Sequence, residues 1–342
     1  MADAPALPEP TPPSRPANFI FIGPNGLRAG WSLAIFIAII AALATSLHFA
    51  VPAVQHYLHP NAVHHADAVP TASVPESIRH MAPQELVVLF VTFFATWIMS
   101  RIEKRKFGEY GLGGNSRRWP QFFQGLIWGF AVLSTLIAAL YFAHDIAFDG
   151  RLLHSFAVVK YALVWLVFFL MVGLFEEFFF RGYIQFTLAR GIGFGGIGFW
   201  ITALLWNFLF GFSHSSNTGE SPIGVFAAGA IGIIFCLSLW YTRSLWWAIG
   251  FHTTWDWGES YFYGTADSGL LVKGHLFGTH PQGTVLVSGG VTGPEGSWFV
   301  LPIMALIIVI IWATLRRERN QSTNQALVNP LPDSQLAATQ PG

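Results

Sequence analysis

Residues 31–51 form a run of 21 without a formal charge, and a chain carrying such a run has few places to put it. A bilayer core takes roughly 20 apolar residues per helix, and a helix satisfies every backbone polar group within the segment. Further apolar stretches lie around 86–100, 121–143, 161–190, 197–213, 222–242, 245–263 and 298–315. The predicted fold class is all-α: a polytopic membrane protein of about eight transmembrane helices, with its site inside the bundle. The composition agrees, with 53% hydrophobic and 11% charged residues. A soluble domain carries about 25% charged residues.

Outside these stretches the chain changes character. Residues 1–29 are Pro-rich and read as a disordered N-terminal tail, 30–316 as the helical domain, and 317–342 as a polar, disordered C-terminal tail. The first apolar run is too long for a cleavable signal and lacks an adjoining basic region. The 18 basic and 18 acidic residues cancel, which argues against nucleic acid as a partner. Cys236 is the only cysteine, so intrachain disulfides and Cys-based zinc sites are excluded. Lys and Arg on alternate sides divide thirteen to four with both ends inside, Arg181 left aside. The expected location is the cell membrane, with both termini cytoplasmic.

The stretch 161–190 breaks the pattern. It reads Leu174-Phe175-Glu176-Glu177-Phe178-Phe179-Phe180-Arg181, and charges at such depth cost about 2.5 to 3.5 kcal/mol each on insertion scales. Glu177 and Arg181 stand at i and i+4 with the acid first, the favourable order for an ion pair. Glu176 is rotated about 100° away and has no basic residue one turn from it. It is a spare carboxylate, suited to general base work if a partner comes from another helix. The plain alternative is an ion pair that only holds helices together. Two histidines offer themselves as partners: His214, at the end of 197–213 after Phe210, and His252, with Asp256 at i+4 on the same face. Asp256 could fix the imidazole tautomer.

Glu176-Glu177-x-x-x-Arg181, Phe210-x-x-x-His214 and His252-x-x-x-Asp256, in that order on separate apolar stretches, resemble the three motifs of the CAAX-protease and bacteriocin-processing family. These are intramembrane glutamic endopeptidases of the type II CAAX prenyl protease kind. The resemblance covers roughly 84–315, with a protease core at about 157–264. It implies that Glu176 activates the hydrolytic water, with His214 helping to hold it. It further implies that His252 and Asp256 stabilise the oxyanion, and that Glu177 with Arg181 orients the first carboxylate; Phe210 belongs to the second motif. The family often has Asn where this chain has Asp256. An ionised Asp only accepts hydrogen bonds and repels an oxyanion. Asp256 is then either protonated, or it orients His252 while another group donates.

The implied substrate is a peptide or protein segment reaching the site from lipid or through a cavity, with prenylated and bacteriocin-like chains as candidates. No cofactor is expected. The rival reading is a zinc protease using His214, His252, Glu176 and Asp256, although no H-E-x-x-H helix is present. A serine dyad of Ser213 with His252 leaves the glutamate pair unexplained. A proton-coupled transporter usually shows matched broken halves, and no second copy of the Glu-Glu-x-x-x-Arg segment occurs. A non-catalytic membrane scaffold is the last alternative. His56, His59, His64, His65, His275 and His280 read as solvated loop residues, and the loop 265–288 as a cover for the cavity mouth.

Overall fold

The computed structural model describes residues 20–23, 26–58, 77–113, 116–193, 195–216 and 220–328. Side chains of 51–58 and 317–328 are not among the described features. Positions 1–19 and 329–342 of the expected tails, and His59, His64, His65 and the His56 side chain, lie outside what is described.

The helices are α1 (Ala29–Leu58), α2 (Ile78–Ile102), α3 (Arg118–Phe142) and α4 (Phe156–Glu176), then α5 (Gln185–Ile192), α6 (Gly196–Ser213) and α7 (Pro222–Thr242). They continue with α8 (Trp246–Trp257), the short α9 (Val285–Ser288) and α10 (Val300–Val328). A π-helical segment, Glu177–Ile184, joins α4 to α5, and a second, Gly258–Tyr263, prolongs α8. The chain is a multi-pass, all-helical membrane protein, and the large side chains left exposed, Phe142, Phe156, Ile127 and Phe208 among them, are apolar as a lipid-facing surface requires.

Among the described residues six helices are long and apolar enough to span, against the eight expected. The other two are helical where expected but fall short. The apolar part of α10 is Val300–Arg316, and α8 carries His252, Thr253, Thr254 and Asp256 within 12 residues. Two expectations about the tails change. Residues 22–23 and 26–27 pair as a small hairpin, β1 (Ile22–Gly23) with β2 (Gly26–Leu27), inside the segment expected to be disordered. Helix α10 also continues to Val328, past the expected boundary at 316.

Close packing of α3 on α8 fixes the centre of the bundle. A Cβ on Gly125 would meet the Trp247 carbonyl and the Phe251 amide, and one on Gly129 the Phe251 carbonyl. From the other side Gly250 faces the Phe122 carbonyl, and Thr254 Oγ1 donates to the Leu126 carbonyl at 2.7 Å. Small residues four apart let membrane helices approach backbone to backbone. Around this contact Leu133, Leu136, Trp247, Phe251, Ile307 and Ile311 form the largest buried cluster.

A second cluster, with Phe36, Met99, Tyr110, Phe178 and Tyr183, seats α1 and α2 against the first π segment. Its polar edge is tied by Arg190, whose Nη2 donates to Glu103 Oε1 and to Ser32 Oγ, each at 3.0 Å. Tyr110 donates to the other Glu103 oxygen at 2.6 Å. On the opposite side of the molecule β3 (Ile146–Arg151) pairs antiparallel with β4 (Phe277–Pro281), joining two loops far apart in the chain.

Candidate active site

The first π segment begins at the glutamate pair. An i→i+5 turn is wider than an α turn and is frequent at functional sites. Here it follows directly on Glu176 and carries Glu177, Phe178 and Arg181 into the interior. Arg181 Nη1 lies 3.1 Å from Glu177 Oε1, with both side chains essentially without exposure. Nε of Arg181 donates to Asn207 Oδ1 at 3.0 Å, and its guanidinium stacks on Phe210 with 4.3 Å to the ring centroid. Asn207 in turn donates to the Ala203 carbonyl and to Cys236 Sγ, and Cys236 donates to Gln185 Oε1. A Cβ on Gly232 would collide with both Arg181 and Asn207, so any side chain there would displace that pair.

Helix α8 brings the imidazole to this pair. Gly173 on α4 faces Thr253 Oγ1 and the Ile249 carbonyl, where a Cβ would stand 3.2 and 3.3 Å away. His252 Nδ1 lies 3.0 Å from Glu177 Oε1. Its Nε2 faces Asp256 Oδ2 at 3.3 Å and Glu176 Oε2 at 3.9 Å. The carboxylate on Nδ1 is thus Glu177, while Asp256 takes the other nitrogen. The distance to Glu176 exceeds a direct hydrogen bond. Glu176 remains the partly exposed member of the set, with 22% of its side chain accessible against none for Glu177.

His214 stands at the end of α6, its Nδ1 3.0 Å from the Phe210 carbonyl and its ring edge-on to Phe210. A cavity of about 540 Å³ is lined by Glu176, Glu177, Arg181, Phe210, His214, His252 and Asp256. All seven positions singled out in the sequence therefore border one space, whose other walls are largely apolar, with Phe168, Val172, Ile231 and Met304 among them. The loop expected to cover its mouth contributes Asp267, Ser268, Gly269 and Leu270 to the lining. Of the loop histidines, His275 Nδ1 faces the Val272 carbonyl and His280 pairs with Asp149 at 2.9 Å.

The ligand atoms of the zinc set do not gather around one point. His252 lies near Asp256 and Glu176 pairwise, but among the described residues the group of three or more His, Cys, Asp or Glu ligand atoms that all lie within 4.8 Å of one another is Glu259, Asp267 and Glu295. Two groups near the motifs had escaped notice in the sequence. Asn207 lies one turn before Phe210, where an amide in an apolar helix is the available signal. Glu85 of α2 is close enough to Glu176 and His252 to feel both charges, and only its position near the edge of an apolar run hinted at a role.

Beside His214, just before α7, Glu220 accepts from the Ser221 N–H at 2.9 Å. Burial, and after it the Glu295 carboxylate, push Glu220 up to about 7, with the Ser221 amide and His214 partly opposing. A raised carboxyl favours the protonated fold. Its stabilising share is complete below the ordinary value of 4.5 and is lost as pH rises through about 7. Glu220→Gln should remove that decline. The check is thermal unfolding of both proteins in detergent from pH 4.5 to 8, where wild type alone should lose stability on this account.

Compared with known families, the chain matches the model of the Rce1-like family, type II CAAX prenyl endopeptidases, over residues 158–258. The matched segment contains all three motifs, in agreement with the resemblance drawn from them. That segment of the chain is similar to type II CAAX prenyl endopeptidases. No curated protein and no solved structure matches it.

Proposed function

We propose, on the premise of a type II CAAX endopeptidase segment at 158–258, that this protein hydrolyses a peptide bond inside the membrane with a glutamate-activated water. The observation that carries the reading is the division of labour between adjacent carboxylates. Glu177 is bound to Arg181 and His252, while Glu176 faces the cavity and, among the described residues, has no hydrogen bond to a cation.

Glu176 takes a proton from water as the hydroxide adds to the scissile carbonyl carbon, and later gives that proton to the departing amine nitrogen. Water is thereby divided between the two products. His252 is anchored through Nδ1, so Nε2 is aimed at the reacting centre. When protonated it donates to the oxyanion, the kind of preorganised contact that is usually a large catalytic contribution. His214, with Nδ1 on the Phe210 carbonyl, offers its other nitrogen to the water. Asp256, 3.3 Å from the same nitrogen, accepts that Nε2–H in the resting site and yields it to the oxyanion as charge develops. The apolar walls suit an apolar or lipid-modified peptide, and both chain ends lie in the cytoplasm of a cell membrane by the charge count. No metal is required by this scheme.

Glu176→Gln should lower kcat by about 10²- to 10⁴-fold, the usual worth of a general base. Its melting temperature should stay near that of wild type, because the side chain is not part of the buried pair. The test incubates both purified proteins with prenylated and unmodified peptides, with and without chelator, and reads fragments by mass spectrometry. Cleavage that survives chelation and disappears in the variant supports the proposal. Equal cleavage by both proteins, or loss on chelation, overturns it.

A further inference from the structure

Beyond the catalytic pair, a second set of acids converges from three separate segments. Glu259 comes from the π segment after α8, Asp267 from the loop that follows, and Glu295 from the turn Pro294–Gly296 before α10. One carboxylate oxygen of each lies within 4.8 Å of the others. Glu259 is wholly buried, and neither of its oxygens accepts a hydrogen bond. The Trp255 side chain lies beside it without reaching bonding geometry. Among the described residues no Lys, Arg or His forms an ion pair with any of the three. An ionised carboxylate so placed is very costly unless a positive charge compensates it.

The geometry points to a binding site for a hard divalent cation, calcium in the first place, held by Glu259, Asp267 and Glu295. The donors are all carboxylate oxygens, which suits calcium or magnesium and not the softer metals. Oxygens on opposite sides of a calcium ion lie about 4.8 Å apart, twice a bond of about 2.4 Å, and the separations here stay within that limit.

The surrounding backbone already holds the frame. Thr265 N and Oγ1 both donate to the Glu259 carbonyl, Gly269 N donates to the Thr292 carbonyl, and Ser268 N and Oγ hold Glu295 Oε1 at 2.7 and 2.6 Å. Gly293, at φ +111, passes so close to the Ala266 carbonyl that a Cβ there would overlap it. These constraints leave Glu259 as the member with nothing to satisfy it.

Asp267 and Glu295 line the catalytic cavity together with Ser268, Gly269 and Leu270. A cation here would fasten the covering loop to the ends of α8 and α10, and would set the shape of the wall facing His252. The site is separate from the proposed hydrolytic set, and its test does not depend on finding a substrate.

The full-length protein in detergent, stripped with chelator at pH 8, would be titrated with Ca²⁺ while its melting temperature is followed. Tb³⁺ emission excited through tryptophan would report occupancy, with Ca²⁺ as competitor. The expected result is a saturable rise of several degrees and displaceable Tb³⁺ emission in wild type, both lost in Glu259→Gln. No Ca²⁺-dependent shift in wild type, or an equal shift in the variant, overturns the assignment to these residues. Should Glu259→Gln fail to fold, Asp267→Asn carries the same comparison, with the folded fraction first isolated by size exclusion.

Discussion

Arg181→Met is expected to destabilise the protein by about 3–5 kcal/mol, because deleting one partner of a buried ion pair leaves the other charge uncompensated. The setting is severe. Glu177 has no exposed surface from which to recover hydration, and the same substitution removes the Asn207 hydrogen bond and the stacking on Phe210. Activity should fall by about 10²-fold or more even in the folded fraction, as displaced catalytic groups typically produce. Thermal unfolding in detergent checks the first effect. Adding Glu177→Gln to Arg181→Met removes the orphaned charge, so the double variant should regain much of the stability while remaining inactive. A single variant that melts like wild type would contradict the pairing described.

Gly125→Leu should separate α3 from α8 and abolish activity, since α8 carries both His252 and Asp256. Overpacking costs about 1–3 kcal/mol and occasionally more. Here the obstruction is the backbone of Trp247 and Phe251, which cannot turn aside as a side chain would. The expected loss therefore lies at or above the top of that range. Gly30→Ala is the matched control: nothing lies within 4 Å of the position its Cβ would occupy. Melting temperature and peptide cleavage should both be unchanged in that variant. Retained cleavage in Gly125→Leu would mean that α8 is positioned by other contacts.

The apolar runs were readable because lipid imposes length and polarity on each segment separately. The pairing of Glu177 with Arg181 was readable for a similar reason, being set by spacing on one helix. What spacing could not express was the choice among partners brought from elsewhere. Asp256, four residues from His252, was the natural candidate to fix its tautomer, yet Nδ1 faces Glu177, 75 residues away in sequence. The wide turn at 177–184 has no signature among three phenylalanines. Asn207 and Glu85 looked like isolated polar residues until the helices met. The Glu259, Asp267 and Glu295 group was invisible for the same cause, since three loop and helix-end segments assemble it. Gly125 and Gly129, four residues apart, let α3 approach α8 backbone to backbone once the two helices meet.

The π segment has a consequence for how this chain can change over generations. Loss of one residue within Glu177–Ile184 would let the wide turn close to ordinary α winding, with the change falling on the turn itself. A loss between Glu177 and Arg181 would break the spacing that pairs them. A substitution in this stretch alters one contact, whereas a deletion would change the winding that sets the buried pair apart from Glu176. The count of residues across these eight positions, and not only their identity, fixes the geometry of the pair.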